Sequence, residues 1–202
     1  MKQTNELSGV HVEGHIKIFN PETGEIIMNK RNAIHYENMS ISLAESLGNA
    51  GQGFIYEMAF GNGGTSVDPT GIITYLTPNS TGTNASLYNE TYTKVVDDRS
   101  VNNVDPTRNK IETRHVSGTN YTDIIFSCLL DYGEPSGQDA FDTASDTEQQ
   151  YVFDELGLKG YSPDGTGRLL THVIFHPVQK SLNRLIQIDY TVRVQSLSGG
   201  LA

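Results

Sequence analysis

The sequence has little of what would staple a chain together or insert it into a membrane. It contains one cysteine, Cys128, so no disulfide can form within the chain. The apolar run around Cys128 and the lack of a basic neighbour predict a buried, inert thiol. No apolar stretch approaches the roughly 20 residues that a membrane-spanning helix needs, and the polar residues 1–6 do not resemble a signal segment. We therefore expect the chain to stay in a soluble compartment.

Positive charge is also scarce. Fourteen Lys and Arg residues stand against 24 Asp and Glu residues, which gives a formal net charge of -10. The basic residues are scattered, apart from the Lys30-Arg31 pair, so the average field of the protein repels a polyanion such as DNA. Direct binding to nucleic acid is therefore disfavoured.

The residues that are present are typical of a β protein. Short apolar stretches alternate with turns rich in Gly, Asn, Thr and Asp, and Gly alone accounts for 20 residues. A chain of 202 residues is long enough for one domain with its own core. The sequence predicts a single mainly-β domain over residues 1–202, an antiparallel β-sandwich or jelly-roll-like arrangement with one α-helix and long polar loops.

The clearest strand pattern lies near the end of the chain. Over residues 185–194 apolar and polar residues alternate, and one face carries the apolar ones: Ile186, Ile188, Tyr190, Val192 and Val194. Residues 168–176 form a second run that is apolar on both faces near residues 173–175, which predicts cover from both sides. A break at Pro177 and a polar link of residues 177–184 predict that the two strands pair as the closing hairpin of the sheet.

Earlier segments supply the other elements. Residues 10–19 and 25–29 predict a hairpin, so that residues 1–33 would form an amino-terminal hairpin or arm. Residues 35–47 have the periodicity of a helix, with Asn32 placed to cap its start and Gly48 its end. Residues 121–132 are apolar on both faces, which predicts a central strand.

The motifs that could bind phosphate or a shared metal ion are weak. Residues 61–64, Gly-Asn-Gly-Gly, lack the Lys-Ser/Thr pair of a phosphate-binding loop, so a tight turn is predicted. His172 and His176 lie four residues apart on a strand, which is too far for one metal ion.

Acidic residues crowd together without the spacing of a calcium-binding loop, and we expect solvated loops at these three places: residues 97–98, residues 139–146, and the pair Asp154-Glu155. No Gly-x-Ser-x-Gly elbow occurs either. The sequence therefore supports no enzyme activity, and it indicates no cofactor, metal ion or small-molecule substrate.

Two long polar segments, residues 65–89 and 133–150, predict surface excursions of the kind that contact partners. Three of the ten tyrosines, Tyr75, Tyr88 and Tyr92, lie in or beside the first segment. Such rings suit an interface made of adaptable aromatic contacts, and the alternative is that they border the core.

Two parts of the chain resemble known proteins. The first is Ile55-Tyr56-Glu57-Met58-Ala59-Phe60-Gly61-Asn62-Gly63-Gly64-Thr65, followed by a polar loop and Leu87-Tyr88-Asn89-Glu90. The second comprises residues 153–158, 167–175, 178–180 and 185–190. In order and spacing these stretches, about half of the chain, are similar to the opening and the ending of many small structural proteins of tailed bacteriophages.

This resemblance implies a virion building block in the neck or collar, in the tail or baseplate, or on the capsid. Its expected partners are copies of itself and neighbouring virion proteins, and it brings no catalytic residue. Contacts through loops and sheet edges are expected in residues 62–76 and 133–147. The residues named for these contacts are Asn62, Tyr75, Tyr88, Tyr92, Asp139 and Phe141.

Two other functions stay open from the sequence. A carbohydrate-binding module of a host-recognition fibre would need an exposed aromatic platform, for which Tyr75, Tyr88 and Tyr92 are the candidates. A cytosolic hydrolase would need a pocket that holds titrating groups with shifted pKa values.

Overall fold

The computed structural model describes residues 9–135, 150–165 and 167–197. In these residues the chain forms eleven strands and one helix. Their bounds are β1 Gly9–Phe19, β2 Ile26–Ile34, α1 Tyr36–Leu47, β3 Ile55–Gly61, β4 Thr65–Val67, β5 Ile73–Tyr75, β6 Glu90–Val95, β7 Lys110–His115, β8 Tyr121–Leu130, β9 Gln150–Gly160, β10 Thr171–Ser181 and β11 Ile186–Leu197. None of the described helical residues forms a segment long and apolar enough to cross a bilayer.

Nine of the described strands form one antiparallel sheet in the order β6-β3-β9-β10-β2-β1-β11-β8-β7. The sheet curls into a half-barrel, so its two halves face each other as in a β-sandwich. The β2–β10 pairing joins the halves and spans only two residue pairs, Thr171 with Ile34 and His172 with Ala33. The predicted fold class, a mainly-β antiparallel domain with one helix, is confirmed.

The main hydrophobic core lies between the two halves of the curled sheet. On β11 the alternation works as predicted, because Ile186, Ile188 and Tyr190 are fully buried while the residues between them are partly exposed. Cys128 of β8 also lies in this core, and burial raises the pKa of its thiol to about 12. The predicted burial of this thiol is confirmed.

The predicted closing hairpin is wrong. β10 bonds to β9 and β2, whereas β11 bonds to β1 and β8. The amino-terminal hairpin itself is confirmed, but β1 and β2 lie inside the sheet, between β10 and β11, and do not extend from it as an arm. β10 also continues past Pro177, with an irregularity in register between Ile174 and Val178. The short link of residues 182–185 therefore carries the chain from one half of the sheet to the other.

β8 does not lie at the centre of the sheet. It is next to the edge strand β7, and only one of its faces contributes residues to the main core: Phe126, Cys128 and Leu130. The apolar residue Leu129 on its other face is also buried, and its amide N–H donates to Oδ1 of Asn109 at 2.8 Å. A strand beside the edge of the sheet therefore carries the same apolar pattern as a central one.

Two buried lysines lie where β8 and β10 end. Lys94 donates to the carbonyl oxygen of Leu129 at 2.7 Å and forms an ion pair with Glu134. Lys180 is fully buried, and its Nζ donates to the carbonyl oxygens of Asp131 (3.0 Å) and Ser181 (2.8 Å). Because burial outweighs the attraction of nearby carboxylates, the pKa of Lys180 falls to about 8.

Candidate functional site

A two-stranded hairpin, β4–β5, stands apart from the nine-stranded sheet. Val67 lies opposite Ile73 in this pair, within a segment that the sequence predicted to be a loop. Asp68 orders the turn, because its Oδ1 accepts hydrogen bonds from the amides of Thr70 (2.8 Å) and Ile72 (3.0 Å). The hydrogen bond from the Thr70 hydroxyl and that from the Ile72 amide hold the pKa of Asp68 below its ordinary value.

Several large apolar side chains on and beside this hairpin are exposed. Val67 is 61% exposed and Ile72 is 63% exposed. We define the hairpin patch by its five exposed residues, Val67, Ile72, Tyr75, Leu76 and Tyr88. Tyr88 joins the group because its hydroxyl donates to the carbonyl oxygen of Thr77, just after β5, at 2.6 Å. Exposed apolar side chains concentrated in one segment are typical of a contact surface.

The glycine-rich bend before β4 fixes the hairpin to β9. The amides of Gly64 and Thr65 donate to the two carboxylate oxygens of Asp154, each at 2.9 Å. The amide of Gly63 donates to Oε1 of Glu155 at 3.1 Å. The sequence predicted a tight turn here and no phosphate site. The bend does present amides to anions, and these anions are the chain's own buried carboxylates.

Glu155 connects the bend to the far end of the long loop. Its Oε1 also accepts the amide N–H of Asn89 (2.8 Å), and its Oε2 accepts that of Tyr88 (2.9 Å) and the Nε2–H of His172 (3.0 Å). Because Nδ1 of His172 accepts the amide N–H of Asn79 at 2.8 Å, the ring proton lies on Nε2. One carboxylate therefore holds residues 63, 88, 89 and 172 together.

The two neighbouring carboxyl groups have pKa values shifted in opposite directions. Burial alone would raise the pKa of Glu155, but the hydrogen bonds from His172 and the loop amides outweigh burial and lower it. For Asp154 burial dominates, and the pKa lies above its ordinary value despite the hydrogen bonds from Thr65 and Gly64. Both side chains are buried in β9, so the predicted solvated loop at Asp154-Glu155 is wrong.

His35 provides a second fastening of the long loop. Its Nδ1 accepts the amide N–H of Asn38 at 3.2 Å, so His35 caps α1 and the predicted cap, Asn32, is wrong. Its Nε2 lies 2.9 Å from the carbonyl oxygen of Gly82 and donates to it. Asn32 lies in β2 instead, where its Nδ2 donates to the hydroxyl of Tyr190. A histidine at this position can cap the helix with one ring nitrogen and bind the long loop with the other. Helix-cap preferences of residue types do not predict this second contact.

The structure separates the interaction residues that the sequence predicted. Asn62 lies in the bend, where its side-chain oxygen accepts from Asn89 at 2.5 Å, and Tyr75 and Tyr88 belong to the hairpin patch. Tyr92 packs on Phe60 of the main core, with 5.9 Å between ring centres. Asp139 and Phe141, with most of segment 133–147, lie outside the described residues.

The three tyrosines therefore do not form one aromatic platform. Tyr88 lies against His172, with 5.7 Å between ring centres, and the hydroxyl of Tyr75 lies 3.4 Å from Nδ1 of His176. Both histidines are on the face of β10 opposite the core, because the intervening Val173 and Phe175 belong to the core. Tyr92 is on the core side of the sheet.

Sequence reasoning missed the paired carboxylates and His172. The available signal was the position of Asp154-Glu155 inside an apolar strand pattern, since charges buried in a strand need hydrogen-bond donors from elsewhere. The glycine-rich bend offered such donors. Among the described residues, no group of three or more His, Cys, Asp or Glu side chains is arranged to hold a metal ion.

A substitution at Gly61 would test how closely the glycine-rich bend packs against Glu155. Replacing Gly61 with alanine should destabilise the protein by about 1–3 kcal/mol. The added methyl carbon would lie 2.5 Å from both the carbonyl oxygen of Asn89 and Oε1 of Glu155. Urea unfolding would measure the loss, with Gly9→Ala as the control, because no atom lies within 4 Å of that position. Equal midpoints for the two variants would contradict the packing.

Comparison with known proteins identifies no relative of this chain. No family model matches it, and neither a curated protein nor a solved structure matches it. The interpretation of the hairpin patch therefore rests on its geometry and on the sequence resemblance.

Proposed function

We propose that this chain is a non-enzymatic structural protein of a tailed-bacteriophage virion, in the neck, collar or tail or on the capsid. It assembles with copies of itself and with neighbouring virion proteins. The observation that carries the proposal is the hairpin patch, exposed apolar side chains on a hairpin whose base is bonded to buried carboxylates. A contact surface on a rigid base loses little conformational entropy when a partner binds.

The sheet edges support the same proposal. Among the described strands, β6 bonds only to β3 and β7 only to β8, so each has one edge without a strand partner. β7 carries charged side chains along its length, with Lys110 and Arg114 both paired to Glu112, and such charges discourage uncontrolled pairing at an edge. The specific contact is therefore assigned to the hairpin patch.

The buried polar groups support a structural role. Glu155 and His172 form an acid–imidazole pair of the kind found in active sites, but both are fully buried. Each oxygen of Glu155 already accepts two hydrogen bonds, and both ring nitrogens of His172 are bonded. Neither side chain has an atom that is both exposed to solvent and available for a new hydrogen bond. The Glu155–His172 pair therefore supports a role in holding the loop in place and not in contacting a substrate.

The assembly proposal is tested by placing charges in the hairpin patch. The double variant Val67→Asp and Ile72→Asp should have the mass of a single chain in light scattering, whereas the unmodified protein should form a closed oligomer or assemble on virion fractions. Two buried carboxylates without partners would oppose association by several kcal/mol, roughly 2–5.

A matched control introduces the same charges elsewhere. Val101 is 98% exposed and Val104 is 82% exposed, and both lie in the loop after β6. The double variant Val101→Asp and Val104→Asp should assemble like the unmodified protein. An unmodified protein that stays monomeric with and without virion fractions would overturn the proposed function, and equal losses in both variants would overturn the choice of surface.

A further inference from the structure

A polar cleft of about 630 Å³ shares no lining residue with the hairpin patch. Its walls come from α1 and the residues after it, from residues 83–86 of the long loop, and from the link between β9 and β10. The side chains that line it with a hydroxyl or amide group include Ser42, Gln52, Thr83, Asn84, Ser86 and Tyr161. Its volume is within the usual range of small-ligand sites, roughly 300–1,000 Å³.

Ion pairs fix the charged groups of this cleft. Nζ of Lys159 lies 3.2 Å from a carboxylate oxygen of Glu57 and 3.1 Å from one of Glu90. Nη1 of Arg168 lies 3.0 Å from Oε2 of Glu45. Since the Lys159 side chain is only 15% exposed, it is held at the wall in one position. The cleft is therefore organised before any ligand arrives.

The loop wall, by contrast, has spare hydrogen-bonding capacity. Within the described part of the chain the side chains of Thr83, Asn84 and Ser86 make no hydrogen bond, although all three are exposed and line the cleft. On the opposite wall the ring of Tyr161 is fixed by stacking on Phe54, with 5.0 Å between ring centres and 8° between planes. Fixed charges, an immobile ring and unused hydroxyl and amide groups thus converge on one space.

The charge and polarity of the cleft define its ligand. Two carboxylates, Glu90 and Asp164, and two cations, Lys159 and Arg168, line the cleft, so their charges cancel. Both cations are already paired with carboxylates, so the walls offer no net attraction to phosphates or acidic sugars. Most lining side chains are polar, which disfavours an acyl chain or another apolar ligand. A neutral ligand with many hydroxyl groups can both donate to the carboxylates and accept from the amide and cationic groups.

We propose that this cleft binds a neutral oligosaccharide. Asn84 and Ser86 bind its hydroxyl groups directly, Glu90 and Arg168 orient it, and the ring of Tyr161 packs against it. This site differs from the tyrosine platform that the carbohydrate-binding alternative required of the sequence. It does not depend on the assembly role, because the hairpin patch and the cleft share no residue.

The test uses the full chain and short neutral oligosaccharides of glucose, galactose, mannose and N-acetylglucosamine, measured by calorimetry beside uronic-acid and sulfated oligosaccharides. At least one neutral oligosaccharide should bind, and the acidic ones should bind at least about tenfold more weakly. The double variant Asn84→Ala and Ser86→Ala should lower the affinity about tenfold or more, which corresponds to the loss of two hydrogen bonds.

The control is the double variant Ser66→Ala and Thr74→Ala, which removes two exposed hydroxyl groups of the β4–β5 hairpin and should bind like the unmodified protein. In the unmodified protein, titration should also shift the amide NMR signals of Thr83, Asn84 and Arg168, a readout that needs no variant. The proposal would be overturned by no neutral binding, by a preference for acidic sugars, or by shifts confined to another surface. Light scattering of the same samples reports assembly separately.

Discussion

A Glu155→Ala variant should unfold at a much lower urea concentration than the unmodified protein, with a loss of about 3–5 kcal/mol. Glu155 is fully buried and accepts four hydrogen bonds, from the amides of Gly63, Tyr88 and Asn89 and from the ring of His172. Alanine leaves all four donors without this acceptor. Since a domain of this kind is stable by only about 5–15 kcal/mol, the substitution removes a large part of the total.

A Glu155→Gln variant separates charge from shape. The amide oxygen can still accept from Gly63 and Asn89, but its NH₂ group would face two donors, the ring Nε2–H of His172 and the amide of Tyr88. We expect a loss of about 2 kcal/mol, intermediate between the unmodified protein and the alanine variant.

Hydrogen exchange locates the effect, and an exposed glutamate controls for the loss of charge. Amides of residues 62–65 and 77–89 should exchange faster in both Glu155 variants, because this carboxylate fastens both segments. Glu25→Ala, at an exposed position whose ion pair with Arg184 is 3.8 Å long, should stay within about 0.5 kcal/mol of the unmodified protein. A Glu155→Ala midpoint equal to that of Glu25→Ala would refute the fastening role.

Most strands of the nine-stranded sheet were predictable from the sequence, and several of their partners were not. The alternation around Tyr190 identified β11 and its core face. In a strand with one buried and one exposed face, apolar and polar residues alternate at every second position. The same alternation says nothing about which strand lies alongside. β10 and β11 are joined by a short link and still do not pair, since β1 and β2, more than a hundred residues earlier in the chain, lie between them.

Of the candidate site, only the exposed hairpin could be anticipated from the sequence, and its buried base could not. Segment 62–76 was named for contacts because it is long, polar and carries Tyr75, and the hairpin patch lies largely within it. Its base could not be predicted, because the donors to Glu155 come from 92, 67 and 66 residues away in sequence. A charged pair in isolation predicts solvation, and only distant donors make its burial favourable.

Lys180 should give the protein an unusual gain in stability under mildly alkaline conditions. The pKa of this fully buried lysine is about 8 in the folded chain, whereas its ordinary value is 10.5. Between these values the unfolded chain holds a proton that the folded chain has released, so the free energy of unfolding rises with pH. Below about pH 8 both forms are protonated, and the full cost of burying the charge is present.

The groups that face Lys180 set the size of this effect. Burial is the largest influence and disfavours the charged amine, as do Lys94 and Arg184. Together they outweigh Glu134 and Asp131, which favour it. From about pH 7.5 to about pH 9.5 the contribution of Lys180 should become more favourable by about 2 kcal/mol. The range must end below pH 10, because burial raises the pKa of Tyr190 and stability is lost once tyrosines of the unfolded chain ionise.

A Lys180→Met variant isolates this contribution, since methionine has a similar volume and does not titrate. Its free energy of unfolding, subtracted from that of the unmodified protein at each pH, should give a difference that rises by about 2 kcal/mol from about pH 7.5 to about pH 9.5. Lys17→Met, at a half-buried position on β1, should run parallel to the unmodified protein. A difference for Lys180→Met that does not change with pH would mean that the amine is solvated in the folded chain and that the core does not enclose it.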